Sequence, residues 1–80
     1  MNKIQISQEQ KLSLKMTSID TLYELSGVFD LAGEIIEIPT GCVLKFTGGS
    51  KITNGTLSLN NTVIEGAKNV NDNPGFYRYY

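Results

Sequence analysis

Residues 28–66, VFDLAGEIIEIPTGCVLKFTGGSKITNGTLSLNNTVIEG, superimpose on themselves with one slip of register. At an offset of 21, Leu31 falls on Ile52, Ile36 on Leu57 and Ile38 on Leu59. One residue then drops out at the corner. At an offset of 20, Cys42 falls on Thr62, Val43 on Val63, Leu44 on Ile64 and Lys45 on Glu65. Self-similarity at a fixed period of about 20 residues marks a solenoid. Within each segment the apolar residues alternate, which is the period of a strand. Ile36, Ile38, Leu44, Phe46, Leu57, Leu59 and Ile64 then point inward. Pro39-Thr40-Gly41, Gly48-Gly49-Ser50, Asn54-Gly55 and Asn60-Asn61 fall between strands, and Gly and Asn accept the left-handed backbone of a tight corner. The expected fold is all-β: a short right-handed parallel β-helix of about two coils over residues 18–68. Residues 1–17 form an N-terminal β-arm or hairpin, and residues 69–80 an aromatic C-terminal tail. The competing architecture is a small antiparallel barrel or sandwich, with Asn54-Gly55 as a two-residue hairpin turn.

The run from Tyr23 to Gly66 also resembles the opening coils of pectate-lyase-like β-helix proteins of Bacteroides and of the phages that infect them. The resemblance rests on a Tyr-Glu-hydrophobic lead and a Phe-Asp-Leu-x-Gly strand, here Phe29 to Gly33. A proline corner at Pro39 follows, then Gly41-Cys42-x-Leu44-x-Phe46, Gly48-Gly49-Ser50 and Asn54-Gly55-Thr56. It covers a little over half of the chain and speaks to fold more than to function. Members of that family continue for many coils and carry their carbohydrate sites on the later ones. The resemblance therefore implies a tail-fibre or tailspike-like structural part without the enzyme's working coils.

The chain has 80 residues, enough for one domain. A chain of this size buries only about 60–65% of its unfolded surface. Solenoids generally need about three repeats for independent stability, because each end exposes strand edges and core side chains. Two coils alone are short of that, so the flanking segments or other copies have to cover the ends.

Composition removes several functions. Net charge is −1, with seven basic residues scattered along the chain, so no phosphate-tracking surface and no nucleic-acid partner are expected. No apolar run is long enough to span a bilayer, and no charged start leads into an apolar stretch, so neither a membrane partner nor a signal peptide is expected. With no His and one Cys, zinc sites and Cys–His or Ser–His nucleophile pairs are excluded within one chain. By strand parity Cys42 faces inward as a small hydrophobe. No cofactor, metal or catalytic residue is expected.

Residues 1–16 contain two short alternating runs, Ile4/Ile6 and Leu12/Leu14/Met16, joined by polar residues. They read as a hairpin or extended arm whose apolar face docks on the solenoid end or on a neighbouring subunit. Residues 18–27 admit a short helix capped by Ser18, or a strand. The alternation of Leu22 to Leu25 and the resemblance favour the strand, with a single helical turn before it.

Two surfaces stand out as candidate sites. On the outward face, Val43 stacks over Val63 and Ile35 over Thr56, with Lys45 on Glu65 as an opposite-charge pair that favours this register. An aligned apolar strip on a small protein calls for a cover. Val43, Val63, Ile35, Lys45 and Glu65 are the expected oligomer interface, with the N-terminal arm as the intrachain alternative. The second surface is Phe76, Tyr77, Arg78, Tyr79 and Tyr80, four of the seven aromatics in one cluster. It serves as an assembly element, a cap on the last coil, or a platform for host surface glycan with Arg78, Asn71 and Asp72 on the hydroxyls. Acidic pairing for glycoside hydrolysis finds no candidate within one coil, since Glu34 and Glu37 lie on opposite faces of a strand.

The expected function is that of a non-enzymatic structural or adaptor protein of a phage-like particle, a homotrimer that binds other particle proteins. Its place would be the virion, or the host cytoplasm before assembly. The alternatives are a glycan-binding module and a truncated piece of a longer β-helix polysaccharide-degrading enzyme. A small phage-encoded inhibitor of a host protein is a further possibility.

Overall fold

The computed structural model describes residues 1–8, 10–66, 71–73 and 76–79. In chain order the elements are β1 (Asn2–Ser7), α1 (Leu12–Lys15), β2 (Thr21–Asp30), β3 (Ile35–Glu37), β4 (Val43–Thr53), β5 (Gly55–Ser58), β6 (Val63–Glu65), β7 (Asn71–Asn73) and β8 (Phe76–Tyr79). Sheet A has the order β1-β2-β4-β6, and every neighbouring pair in it is parallel. Sheet B has the order β3-β5-β8-β7, in which β3 and β5 are parallel and β8 is antiparallel to both β5 and β7. Parallel neighbours need a crossover between them. Between β2 and β4 that crossover is β3, and between β4 and β6 it is β5. The result is a parallel β-solenoid of about three turns.

The core is built from inward columns, one residue per turn. Ile4, Tyr23, Leu44 and Ile64 align in sheet A, and Ile6, Leu25 and Phe46 form the column beside them. Ile36 and Leu57 align in sheet B, and Tyr77 follows Leu57. The interior members are buried, while Ile4, Ile64 and Tyr77, at the column ends, are only partly so. Cys42 is buried among them, as its parity implies, and its thiol donates to the Ser18 carbonyl at 3.2 Å.

Three expectations change. The N-terminal segment is not a separate β-arm or hairpin: β1 pairs in parallel with β2 and forms the first rung, so the solenoid has about three turns rather than two. Leu12, Leu14 and Met16 do not alternate along a strand. Leu12 and Met16 are buried at helical spacing, and Leu14 is 73% exposed. The helical turn satisfies its own backbone, with the Met16 N–H donating to the Leu12 carbonyl at 2.9 Å, whereas a strand there would be a half-paired edge. The strand favoured for residues 18–27 is present as β2 over 21–30, and Ser18 caps no helix.

Leu31 does not stack on Ile52. Ser26 pairs with Thr47 but Val28 pairs with Lys51, so β4 carries two extra residues at this point, and Phe29 meets Ile52 instead. The extra pair is Gly48-Gly49, both at positive φ. Buried Ser50 holds the bulge: its hydroxyl accepts from the Gly27 N–H at 2.9 Å and donates to the Thr47 carbonyl. Asn54 at the next corner has φ 55°, consistent with a corner residue rather than a hairpin turn, since β4 and β5 lie in different sheets.

Candidate interaction surface

The outer face of sheet A is ruled into columns by its own register. Lys3, Leu22, Val43 and Val63 form one column, and Gln5, Glu24, Lys45 and Glu65 the next. Ser7, Ser26 and Thr47 form the third. Strand parity sets this arrangement: inward Ile4, Tyr23 and Leu44 force their sequence neighbours outward.

The apolar column is only half covered. Leu22 and Val43 are half-buried, and Val63 is 52% exposed. The N-terminal segment does not lie across this face, because β1 sits beside β2 within the same sheet. Val43 and Val63 are in register as expected, and so are Lys45 and Glu65. Ile35 is 71% exposed and paired with Thr56, but it belongs to sheet B. The five expected interface residues therefore divide into a group of four on sheet A and one on sheet B.

Beside the valines runs an ordered polar column. Gln5 Nε2 donates to Glu24 Oε1 at 2.9 Å, and Lys3 Nζ lies 3.3 Å from Glu24 Oε2. The Gln5 hydrogen bond, then the Lys3 bond, hold the Glu24 carboxyl below its ordinary value of 4.5, and the Lys3 and Lys45 charges add to this against a smaller opposing push from burial. A carboxyl lowered in the folded state stabilises it fully above pH 4.5, and that contribution is lost as pH falls through the lowered value. Urea titrations should show wild-type stability falling below pH 4.5 with a component that Glu24→Gln lacks. A Glu24→Gln profile that overlays the wild type would contradict the assignment.

Two further carboxylates, Asp30 and Glu34, are engaged structurally. Asp30 Oδ1 accepts from the Ala32 N–H at 2.8 Å and from Asn54 Nδ2 at 3.2 Å, and Glu34 lies 3.8 Å from Lys11. Among the described residues no group of three or more His, Cys, Asp or Glu is placed to hold a metal ion, and no helix is long and apolar enough to cross a membrane. A 210 Å³ pocket between α1 and the β2–β3 corner has an apolar floor of Leu12, Phe29, Leu31 and Ile36 under a rim of Gln8, Lys11 and Glu34.

Phe76, Tyr77 and Arg78, the tail residues whose side chains are described, do not share one face. β8 runs antiparallel on β5, so successive residues face opposite ways. Tyr77 pairs with Leu57 and packs against the core, while Phe76 opposite Ser58 is half-buried and Arg78 opposite Thr56 is exposed. The Arg78 guanidinium lies 5.9 Å from the Phe76 ring centroid, within reach of a cation–π contact. Arg78, Thr56 and Ile35 form an outer column of sheet B. Tyr80 and the side chains of Asn71, Asp72 and Tyr79 lie outside the described part of the structure.

The sequence reading missed β1 as a rung and the Gln5–Glu24–Lys45–Glu65 column. The signal was present as Ile4/Ile6 over Tyr23/Leu25 at a separation of 19, shorter than the spacing between later coils. No protein-family model, no curated protein and no solved structure matches the chain.

Proposed function

We propose that this protein is a non-enzymatic structural or adaptor module that works by assembling with its own copies and with neighbouring proteins through the outer face of sheet A. The observation that carries the reading is the Leu22–Val43–Val63 column: aligned, apolar, left half-open by the fold, and bordered by the charged column of Glu24, Lys45 and Glu65. An apolar stripe beside a polar one has the makeup of an interface core and rim. Sheet A is also rigidly indexed, so three copies around an axis would present the same row of residues to one another. The trimer and a phage-like particle as its setting are what the resemblance to β-helix fibre proteins implies. The engagement of Asp30, Glu24 and Glu34 in structural bonds supports binding over catalysis.

The test is solution mass with a paired variant, Val43→Lys/Val63→Glu. These positions are directly opposite, so the substitutions preserve a favourable cross-strand pair while removing the apolar column. The variant should keep the β-sheet circular dichroism of the wild type and lose its threefold mass. An unchanged mass would remove sheet A as the interface.

A further inference from the structure

We infer that the outer face of sheet B binds a second copy of this chain face to face, about a two-fold axis lying in the plane of contact. This contact is separate from the sheet A face proposed above. It gives a use to Ile35, which the fold parts from the valines.

The face is a grid of two columns. Ile35, Thr56 and Arg78 form one, and Glu37, Ser58 and Phe76 the other. Inward Ile36, Leu57 and Tyr77 set all six outward. The corners carry the chemistry: Ile35 is 71% exposed, Glu37 and Arg78 are exposed, and Phe76 is half-buried. The middle row, Thr56 and Ser58, is small, so a facing sheet can come close.

Glu37 and Arg78 stand at opposite corners. Residues two apart on a strand are about 7 Å from one another and neighbouring strands about 4.8 Å, so these two lie about 12 Å apart. That is too far for an ion pair within one chain. The ion pairs among the described residues join Lys3 to Glu24 and Lys11 to Glu34, and neither Glu37 nor Arg78 takes part. Ile35 and Phe76 hold the other two corners.

This arrangement names the occupant. A two-fold axis along the diagonal from Ile35 to Phe76 brings each of these side chains against its own copy. The same rotation lays Glu37 of each chain on Arg78 of the other, so the pair forms twice. An axis along the strands would instead set Glu37 on Phe76, and an axis across them would set Glu37 on Ile35. Either would cover a carboxylate without a partner. The Arg78 guanidinium, 5.9 Å from the Phe76 ring centroid, still has N–H groups to donate to a carboxylate. The strands of the two copies then cross nearly at right angles, a recurrent packing of sheets. The molecule measures 30 × 27 × 21 Å, so one side offers on the order of 500 Å² per partner, the size of a concentration-dependent contact.

The test is a charge swap, read by sedimentation equilibrium in the Val43→Lys/Val63→Glu variant, whose sheet A face is disabled. That protein should form a dimer. Glu37→Arg and Arg78→Glu each set like charges against one another twice, so each should weaken the dimer roughly ten-fold. Glu37→Arg and Arg78→Glu combined restore opposite charges and should recover the starting affinity. The two positions are too far apart within a chain to account for that recovery, so it reports contact between copies. Ile35→Glu should leave a monomer. All these positions are at the surface, and circular dichroism checks that each variant is folded. The same series made without the valine substitutions should shift mass in the same order, so the result does not rest on one background. A folded protein that stays monomeric with sheet A disabled would overturn the proposal. So would single variants that associate as well as their parent, or a combined variant no tighter than the singles. None of these results bears on the sheet A interface, which the valine substitutions test by themselves.

Discussion

Tyr23→Ala should remove a large share of the protein's stability. Tyr23 is fully buried at the centre of the Ile4–Tyr23–Leu44–Ile64 column, and its hydroxyl serves Ser18 twice. It accepts from the Ser18 N–H at 2.9 Å and donates to the Ser18 carbonyl at 3.2 Å. Truncating a buried aromatic to Ala costs about 3–5 kcal/mol. A chain of this size has a total stability of about 4–12 kcal/mol, and a three-turn solenoid cannot spread the loss over further repeats. Tyr23→Phe isolates the hydroxyl. It keeps the ring but leaves the Ser18 N–H without the hydroxyl and the Ser18 carbonyl with the Cys42 thiol as its donor, at about 1–2 kcal/mol. Urea unfolding followed by circular dichroism measures both. A Tyr23→Ala cost under about 1 kcal/mol would mean that this column is not the core.

Gly55→Ala should cost about 1–3 kcal/mol, for a reason unrelated to turns. Gly55 does not have a positive φ, so its backbone suits any residue. The obstacle is Leu31: a Cβ at Gly55 would lie 2.3 Å from Leu31 Cβ and 2.7 Å from its Cδ1. A Cβ cannot rotate out of the way, so the corner between β4 and β5 has to move away from the previous coil. The cost should therefore vanish only when the Leu31 Cβ itself is removed. In a Leu31→Gly background Gly55→Ala should be nearly neutral, giving a coupling of about 1–3 kcal/mol between two residues 24 positions apart in the chain. Additive costs would contradict the stacking of these two corners.

Both predictions concern features that the sequence only half displays. Inward parity was legible because alternation is strict in this chain: Ile36, Leu44, Phe46 and Leu57 are all buried. The register of Val43 on Val63 and of Ile36 on Leu57 was legible because nothing interrupts the coil between those pairs. The first rung was hidden by a changing period. Its strands are 19 apart, the next 21, and the spacing widens to 23 beyond the Gly48-Gly49 bulge. A search at constant spacing passes over such a coil.

Leu12-Ser-Leu-Lys-Met16 fits a strand and a helical turn equally well by pattern. The fold decides for the helical turn, which buries Leu12 and Met16 one turn apart and leaves Leu14 outside. In the tail, Phe76 and Tyr77 are adjacent in sequence, but β8 reverses direction to lie on β5 and sends these neighbours to opposite faces. Nothing local announces that reversal. The candidate surface was legible to the same extent as the coils: four of its five residues share the outer face of sheet A, and Ile35 parted from them because it lies beyond a corner.

Light scattering of purified wild-type protein across a range of concentrations, with Val43→Lys/Val63→Glu alongside, tests the central claim most directly. Assembly through sheet A predicts a wild-type mass of at least three 8.8 kDa chains and a folded variant whose mass is threefold lower. A folded wild type that stays at 8.8 kDa at every concentration would contradict it.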